Sequence, residues 1–353
     1  MGGLLGGSIV KKLLLSISLA TLFVLGACGG DSDSSTAAPA DDAGTADSAA
    51  AADVSATTDG STTPDAGTAP DAGAPEPDIV LGPACAEPTA SENQVLYELN
   101  VGGMTRQYRL TVPQAEAGVP LAVMVGFHGG GGAYDDYPQE EAFRSLGAEQ
   151  GVIMAYPRGA VVAPNEGEWQ LNTSDDMMHD IDFINALLDD LSTRYCVDIT
   201  RLYATGYSLG SMFIYEVACQ MNDRFAAVAS FAGSMPISVN SCEMVNKLPV
   251  MHIHGTDDSI IPYSDEWDWK SWPSVGPMMD IPQLMEFWGD QNGCQDVDWT
   301  DNSDGRHVVY DGCDEGVRVE HHRLDGHGHW WPQTIDGVST HQVMWNFMSG
   351  FTR

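Results

Sequence analysis

The stretch Leu202-Tyr203-Ala204-Thr205-Gly206-Tyr207-Ser208-Leu209-Gly210 decides the fold of this chain. A short apolar run, Leu202–Thr205, predicts a strand, and the apolar run from Leu209 to Met221 predicts a helix. Between them stands G-x-S-x-G, residues 206–210. A serine projected from a tight strand-to-helix turn needs small residues two before and two after it, and Gly206 and Gly210 supply them. The turn leaves the Ser208 oxygen above the sheet and puts the Leu209 N–H at a helix N-terminus, where it can face an oxyanion.

Working outward, apolar runs alternate with helical patterns. Strands are predicted at 121–127, 152–156, 226–232, 250–254 and 317–324. Helices are predicted at 180–191, 281–291 and 342–351; in the first, Ile181, Ile184, Leu187, Leu188 and Leu191 fall at helical spacing. This rhythm predicts an α/β domain with a mostly parallel sheet covered on both faces. Ligands of such sheets bind beyond the carboxyl ends of the strands.

Those ends carry the remaining chemistry. Strand 121–127 runs into His128-Gly129-Gly130-Gly131-Gly132, where a second oxyanion donor belongs; the Gly130 N–H is favoured over that of Gly129. Strand 250–254 runs into Gly255-Thr256-Asp257-Asp258, and an acid here fits the chain order serine, acid, histidine. Asp257 and Asp258 compete for that place. Strand 317–324 is followed by Gly326-His327-Gly328-His329-Trp330, where His327 and His329 compete for the base. His321 and His322 fall within the strand and His341 at the start of the last helix, where packing or capping is the simpler role.

The whole chain has 353 residues, 15 Lys and Arg against 50 Asp and Glu, and a net charge of −35. Such a balance argues against nucleic acid as a partner, because binding its phosphates takes clustered Lys and Arg on the protein. The first 28 residues read as a secretory signal: Lys11 and Lys12, an apolar core to Leu25, then Gly26, Ala27 and Cys28. Leu25–Cys28 resembles a bacterial lipobox, which implies lipidation at Cys28, an extracytoplasmic location and a membrane held only through that anchor. Residues 29–84 are almost entirely Ala, Asp, Gly, Ser, Thr and Pro, with PDAG repeated at 64–67 and 70–73. That composition cannot bury enough apolar surface to offset ordering entropy and reads as a disordered tether. Residues 85–353 then form one domain, itself acidic with 39 Asp and Glu against 13 Lys and Arg. A monomer is expected, with no cofactor and no metal, since neither CxxC nor Cys/His ligand spacing is visible.

Six cysteines remain after Cys28, and in an exported chain six point to three bridges, although the count alone allows 15 pairings. Pairing nearest neighbours gives Cys219–Cys242 and Cys294–Cys313, which leaves Cys85–Cys196.

HGGGG at 128–132, YPRG at 156–159, YCVDITRLYATGYSLG at 195–210, HGTDDSIIPY at 254–263, Trp288 with Cys294, and GHWWP at 328–332 together resemble one family. It is the group of extracellular esterases that holds poly(3-hydroxybutyrate) depolymerases, feruloyl esterases and acetyl xylan esterases, carbohydrate esterase family one. The resemblance implies an α/β-hydrolase fold without a large cap domain, the triad Ser208, Asp258 and His329, and an ester substrate, expected to be a polyhydroxybutyrate-type polyester or its oligomers, with feruloyl or acetyl esters of plant cell-wall polysaccharide as the alternative. It selects Asp258 and His329 over their neighbours and supports the three disulfides. Family members often carry Asn-Gly-Gly after the serine, where this chain has Leu209-Gly210-Ser211. The segment Glu266–Trp272 is also unusually rich in tryptophan. Trp267, Trp269 and Trp272 are expected near the acid, where they could clamp an aromatic acyl group or a polymer chain. Trp169, Tyr207 and Trp330 complete the expected substrate contacts.

Overall fold

The structure, a computed structural model, describes residues 83–162, 167–173, 178–265, 267–268 and 275–353. The signal with Cys28, the tether to residue 82, and Trp269 and Trp272 lie outside the described residues.

In chain order the elements are β1 (Glu92–Val101), β2 (Met104–Val112), β3 (Leu121–Phe127), α1 (Glu140–Gln150), β4 (Val152–Pro157), α2 (His179–Arg194), β5 (Val197–Tyr207) and α3 (Leu209–Gln220). Then follow β6 (Ala227–Phe231), β7 (Val250–Gly255), β8 (Trp267–Asp268), β9 (Pro277–Met278), α4 (Ile281–Gln291), β10 (Asp296–Asp301), β11 (Gly305–Asp311), β12 (Val319–Leu324) and α5 (Thr340–Met348). One ten-stranded sheet runs β1-β2-β4-β3-β5-β6-β7-β12-β11-β10. Its centre, from β4 to β12, is parallel, and antiparallel strands finish both edges. This is the α/β-hydrolase architecture.

Side-chain alternation sends each central strand into two cores. In β3, Val123, Val125 and Phe127 pack with α2, α3 and α4, whereas Ala122 and Met124 pack with α1 and α5. In β7, Val250 belongs to the first core and Met251 and Ile253 to the second. Every residue of β3, β4, β6 and β7 is buried, so these strands carry almost no polar side chains. Exceptions such as Ser230 and His252 therefore need internal partners, and they have them.

Each expected strand and helix is present, with shifted ends. The last helix begins at Thr340 and closes at Met348, two residues earlier at its start and three at its end than the sequence predicts. Of the elements named above, β1, β2, α1, β8, β9, β10 and β11 escaped the sequence reading. All three expected disulfides form, Cys85–Cys196, Cys219–Cys242 and Cys294–Cys313. The first ties the start of the domain to the residue before β5, and the third closes the base of the β10–β11 hairpin.

Four strands lift the chemistry-bearing residues to one rim. β3 ends before His128, β5 before Ser208, β7 before Asp258 and β12 before His329. These are carboxyl ends of parallel neighbours, where an open α/β sheet leaves room for a ligand.

Candidate active site

Ser208 caps α3 with φ 55° and ψ −120°, a strained conformation for a residue with a side chain. Its backbone is pinned on both sides, because its N–H donates to the Phe231 carbonyl (3.0 Å) and its carbonyl accepts from the Met212 N–H (3.0 Å). The turn closes so tightly that a Cβ on Gly206 would lie 2.3 Å from the Gly210 carbonyl oxygen, and one on Gly210 would lie 2.2 Å from that of Phe127. Only glycine fits at either place, which is the physical content of the G-x-S-x-G pattern.

Ser208 Oγ lies 2.8 Å from His329 Nε2, and His329 Nδ1 lies 2.7 Å from Asp258 Oδ2. Asp258 is buried, and its other oxygen, Oδ1, accepts the Ile260 and Ile261 N–H groups at 2.8 and 2.9 Å. Burial alone would raise this carboxyl. Hydrogen bonds from His254, His329 and the Ile261 N–H outweigh it and hold the group well below the usual carboxylate range. The acid is thus a fixed anion facing Nδ1, which leaves Nε2 as the acceptor of the serine proton.

The competing residues are occupied elsewhere. Asp257 is exposed, and its N–H donates to the His327 carbonyl. His327 Nε2 donates to the Trp330 carbonyl at 2.7 Å. His321 and His322 are buried in β12, and His341 packs against the Phe143 ring from the first turn of α5.

The glycine loop after β3 is held by groups that the sequence did not reveal. The His128 carbonyl accepts the Trp169 indole N–H (2.9 Å), and the Gly129 carbonyl accepts from His128 Nδ1 (2.8 Å) and from the Gly132 N–H (3.1 Å). His128 Nε2 in turn accepts the Gly159 N–H at 3.0 Å. In a planar trans peptide the N–H points opposite to the C=O. Fixing the Gly129 carbonyl on the His128 side therefore turns the Gly130 N–H the other way. A Cβ on Gly130 would sit 3.7 Å from the Leu209 side chain, so this glycine lies against the start of α3. Neither the Gly130 N–H nor the Leu209 N–H has a hydrogen-bond acceptor among the described residues. Gly129 approaches even closer, 3.4 Å from Ser208 Cβ by the same construction, but its own N–H is turned away from the carbonyl that Trp169 holds.

Trp169 does not line the cleft, contrary to expectation. It is fully buried, stacked on Phe213 at 5.0 Å and edge-on to Phe127, and its N–H is spent on His128. An indole in this chain is large enough to fill the gap under the glycine loop, and its one donor reaches a carbonyl there. The loop that carries it is anchored by buried carboxylates: Gln170 N–H donates to Asp180, and the Thr173 N–H and hydroxyl donate to Glu216. Tyr207 is likewise committed, since its hydroxyl donates to the His329 carbonyl (3.0 Å) and its ring stacks on Phe231. Trp267 is half-buried and packs against the core. Trp330 alone of the described aromatic candidates stands mostly free, 61% exposed and next in sequence to His329. A depression of about 670 Å³ opens beside the histidine loop, lined by Asp304, Arg323, Asp325, His327, Gln333 and Thr334 among others. It reaches His327 but neither Ser208 nor His329.

Behind Asp258 runs a buried chain of polar groups. His254 Nε2 donates to the Ile261 carbonyl (2.9 Å) and lies 3.4 Å from Asp258 Oδ2. His254 Nδ1 accepts from His252 Nε2 at 3.0 Å, and His252 Nδ1 accepts the Tyr215 hydroxyl at 2.6 Å. His321 Nδ1 donates to the His252 carbonyl, and its Nε2 accepts the Tyr263 hydroxyl. Each ring is fixed as a neutral tautomer by a carbonyl or by its neighbour. Burial pushes His252 well below the usual histidine range and His321 down to about 3. The unfolded chain takes up these protons near pH ~6.5, while the native protein refuses them until much lower pH. Their contribution is complete above that value and is lost as the pH falls, at about 1.4 kcal/mol per pH unit for each histidine. Urea midpoints should therefore drop steadily from pH 7 to pH 5; a flat profile would mean that these rings are charged in the native state.

Fold and constellation together define the class: an α/β-hydrolase fold carrying a serine–histidine–aspartate site. Among known proteins, a family model described as phospholipase/carboxylesterase matches residues 162–269, less than a third of the chain, a stretch that includes Ser208 and Asp258. The bifunctional acetylxylan esterase/xylanase of Neocallimastix patriciarum is 24% identical over 60% of this chain and 28% of its own length. Feruloyl esterase B of Piromyces equi is 22% identical over 65% of this chain and 42% of its own length. The chain thus spans less than half the length of either fungal relative. The acetyl xylan esterase of Aspergillus awamori has the same fold, with a TM-score of 0.52 at 13% identity over 72% of this chain and 99% of that one.

Proposed function

We propose that the chain is an exported serine esterase that removes feruloyl or acetyl groups from plant cell-wall polysaccharide. The observation that carries the chemistry is the continuous hydrogen-bonded line from Ser208 through His329 to a carboxylate locked as an anion. Ser208 Oγ attacks the ester carbonyl carbon and passes its proton to His329 Nε2. The Leu209 and Gly130 N–H groups hold the resulting oxyanion, each contributing about 3 kcal/mol to the transition state. The C–O bond then breaks, and the alcohol leaves with the proton from His329. Water repeats the sequence on the acyl-enzyme and restores Ser208. Asp258 orients His329 and stabilises the imidazolium throughout. No step calls for a cofactor.

The printed names of the two fungal relatives support the polysaccharide side of this reading. Trp330, exposed beside His329, offers a flat apolar surface to an aromatic acyl group or a sugar ring. Three disulfides fit an oxidising compartment, and the lipobox at Cys28 would leave a monomeric domain on a tether at a bacterial membrane or cell surface. Initial rates on methyl ferulate, acetylated xylan and a 3-hydroxybutyrate trimer separate the substrate classes. The expected result is at least a tenfold higher kcat/KM on one of the first two. Preference for the trimer would instead make the protein a polyester depolymerase, and silence on all three would leave a surface module that binds polymer without cutting it.

A further inference from the structure

On the far side of the sheet from the buried histidine chain, a second group of titratable residues takes no part in the chemistry above. Glu320 and His322 lie two apart on β12 and so share one face of the sheet. His307 of β11 is the direct cross-strand partner of His322. This face is the one covered by α5, because Leu324 and the neighbouring Met251 and Ile253 pack with Met344 in that core. His321, between the two ligating candidates, points to the opposite face and bonds to Tyr263.

One ligand atom from each of His307, Glu320 and His322 lies within 4.8 Å of the other two. His307 Nε2 is already 2.9 Å from Glu320 Oε2, and the two imidazoles lie parallel within 3° with centroids 4.2 Å apart. His322 is only 8% exposed, yet its buried Nδ1 has no hydrogen-bond partner among the described residues. A buried ring nitrogen without a partner is unfavourable unless something else fills its lone pair or takes its proton. Nothing in the esterase chemistry uses it.

The geometry points to a binding site for one first-row divalent cation, zinc by its donor set, formed by His307, Glu320 and His322 and clamping β11 to β12. Two imidazoles and one carboxylate are ligands zinc accepts, at about 2.0–2.2 Å each. Ligand atoms on one tetrahedral ion stand roughly 3.4 Å apart, so side-chain rotation of about an ångström closes the site. His307, about one-third exposed, gives the ion a way in and leaves a coordination position toward solvent. The strongly acidic domain favours cation entry. His307 comes from the neighbouring strand, 13 residues before Glu320 and 15 before His322, so the three ligands show no compact motif in the sequence. The clamp would secure the sheet edge where β10 has all six residues exposed, opposite the end tied by Cys294–Cys313.

The test uses the full chain, purified without a polyhistidine tag, stripped with a chelator and titrated with zinc chloride at pH 7.5. One zinc per chain should survive desalting in the presence of 10 mM magnesium (about a thousandfold excess), with a melting temperature raised by about 3 °C or more. His307→Gln and Glu320→Gln should each abolish both effects while keeping the chelator-treated melting temperature and the ester hydrolysis rate of the parent. Glu320→Gln is near-isosteric, so it decides the question if the histidine variant folds poorly. Failure of the parent to retain zinc, or equal retention by the folded variants, would overturn the assignment.

Discussion

Ser208→Ala should lower kcat by a factor on the order of 10⁶ with the fold intact. The residue's structural duties belong to its backbone, whose N–H and carbonyl bond to Phe231 and Met212 whatever the side chain is. Alanine has the same Cβ, so the strain at φ 55° is unchanged and no new clash appears. What disappears is the one oxygen that His329 Nε2 faces at 2.8 Å. Without it the Leu209 and Gly130 N–H groups have no covalent intermediate to stabilise. Circular dichroism and melting curves matching the parent, beside the loss of turnover, would establish that the effect is chemical. A variant that keeps a tenth of the parent rate would remove Ser208 from the mechanism.

Asp258→Asn should cost about 10⁴ in kcat, with KM little changed. The structure dictates how the amide would sit. Two backbone N–H groups, from Ile260 and Ile261, point at the Oδ1 position and demand an acceptor there. The amide oxygen must take that place, so its NH₂ replaces Oδ2 and faces His329 Nδ1. His329 is then forced to accept at Nδ1 and to carry its proton on Nε2, where it blocks transfer from Ser208. His254 Nε2–H keeps its bond to the Ile261 carbonyl but then faces, at 3.4 Å, an NH₂ in place of the carboxylate oxygen. A loss of less than tenfold would show that the carboxylate is not what fixes the tautomer.

The parts of this molecule that the sequence shows are those fixed by local rules. β3, β4, β6 and β7 are buried on both faces, so each reads as an uninterrupted apolar run. The nucleophile turn is legible for a related reason: Gly206 and Gly210 are demanded by contacts within a few residues of Ser208 and by the adjacent β3. The missed elements obey weaker signals. β10 (DVDWTD) has no buried residue, and β1 alternates polar side chains along an exposed edge, so neither contrasts with a loop. α1 offers only Phe143, Leu146 and Gly147 to the core and starts from Gln139 in a left-handed conformation without a side-chain cap.

The site divides in the same way. Asp258 and His329 were distinguished from Asp257 and His327 by family resemblance, and the structure supplies a physical difference: only the former pair is turned toward Ser208, while His327 is tied to Trp330. The supporting groups were invisible. Trp169, expected among the substrate contacts, instead holds the His128 carbonyl from within the core. His128, His252 and His254 each also depend on a partner between 7 and 37 residues away, in a bond that no periodicity encodes. Such residues become readable only when the strands that carry them are placed side by side.

The proposed chemistry depends on Ser208 being activated by His329 within this fold. A fluorophosphonate carrying a reporter group, incubated with the full chain and followed by peptide mass spectrometry, tests it most directly. One phosphonylated residue, Ser208, is expected, with loss of hydrolysis proportional to labelling, and neither labelling nor hydrolysis in Ser208→Ala. Labelling at another serine, or full hydrolysis after Ser208 is blocked, would contradict it.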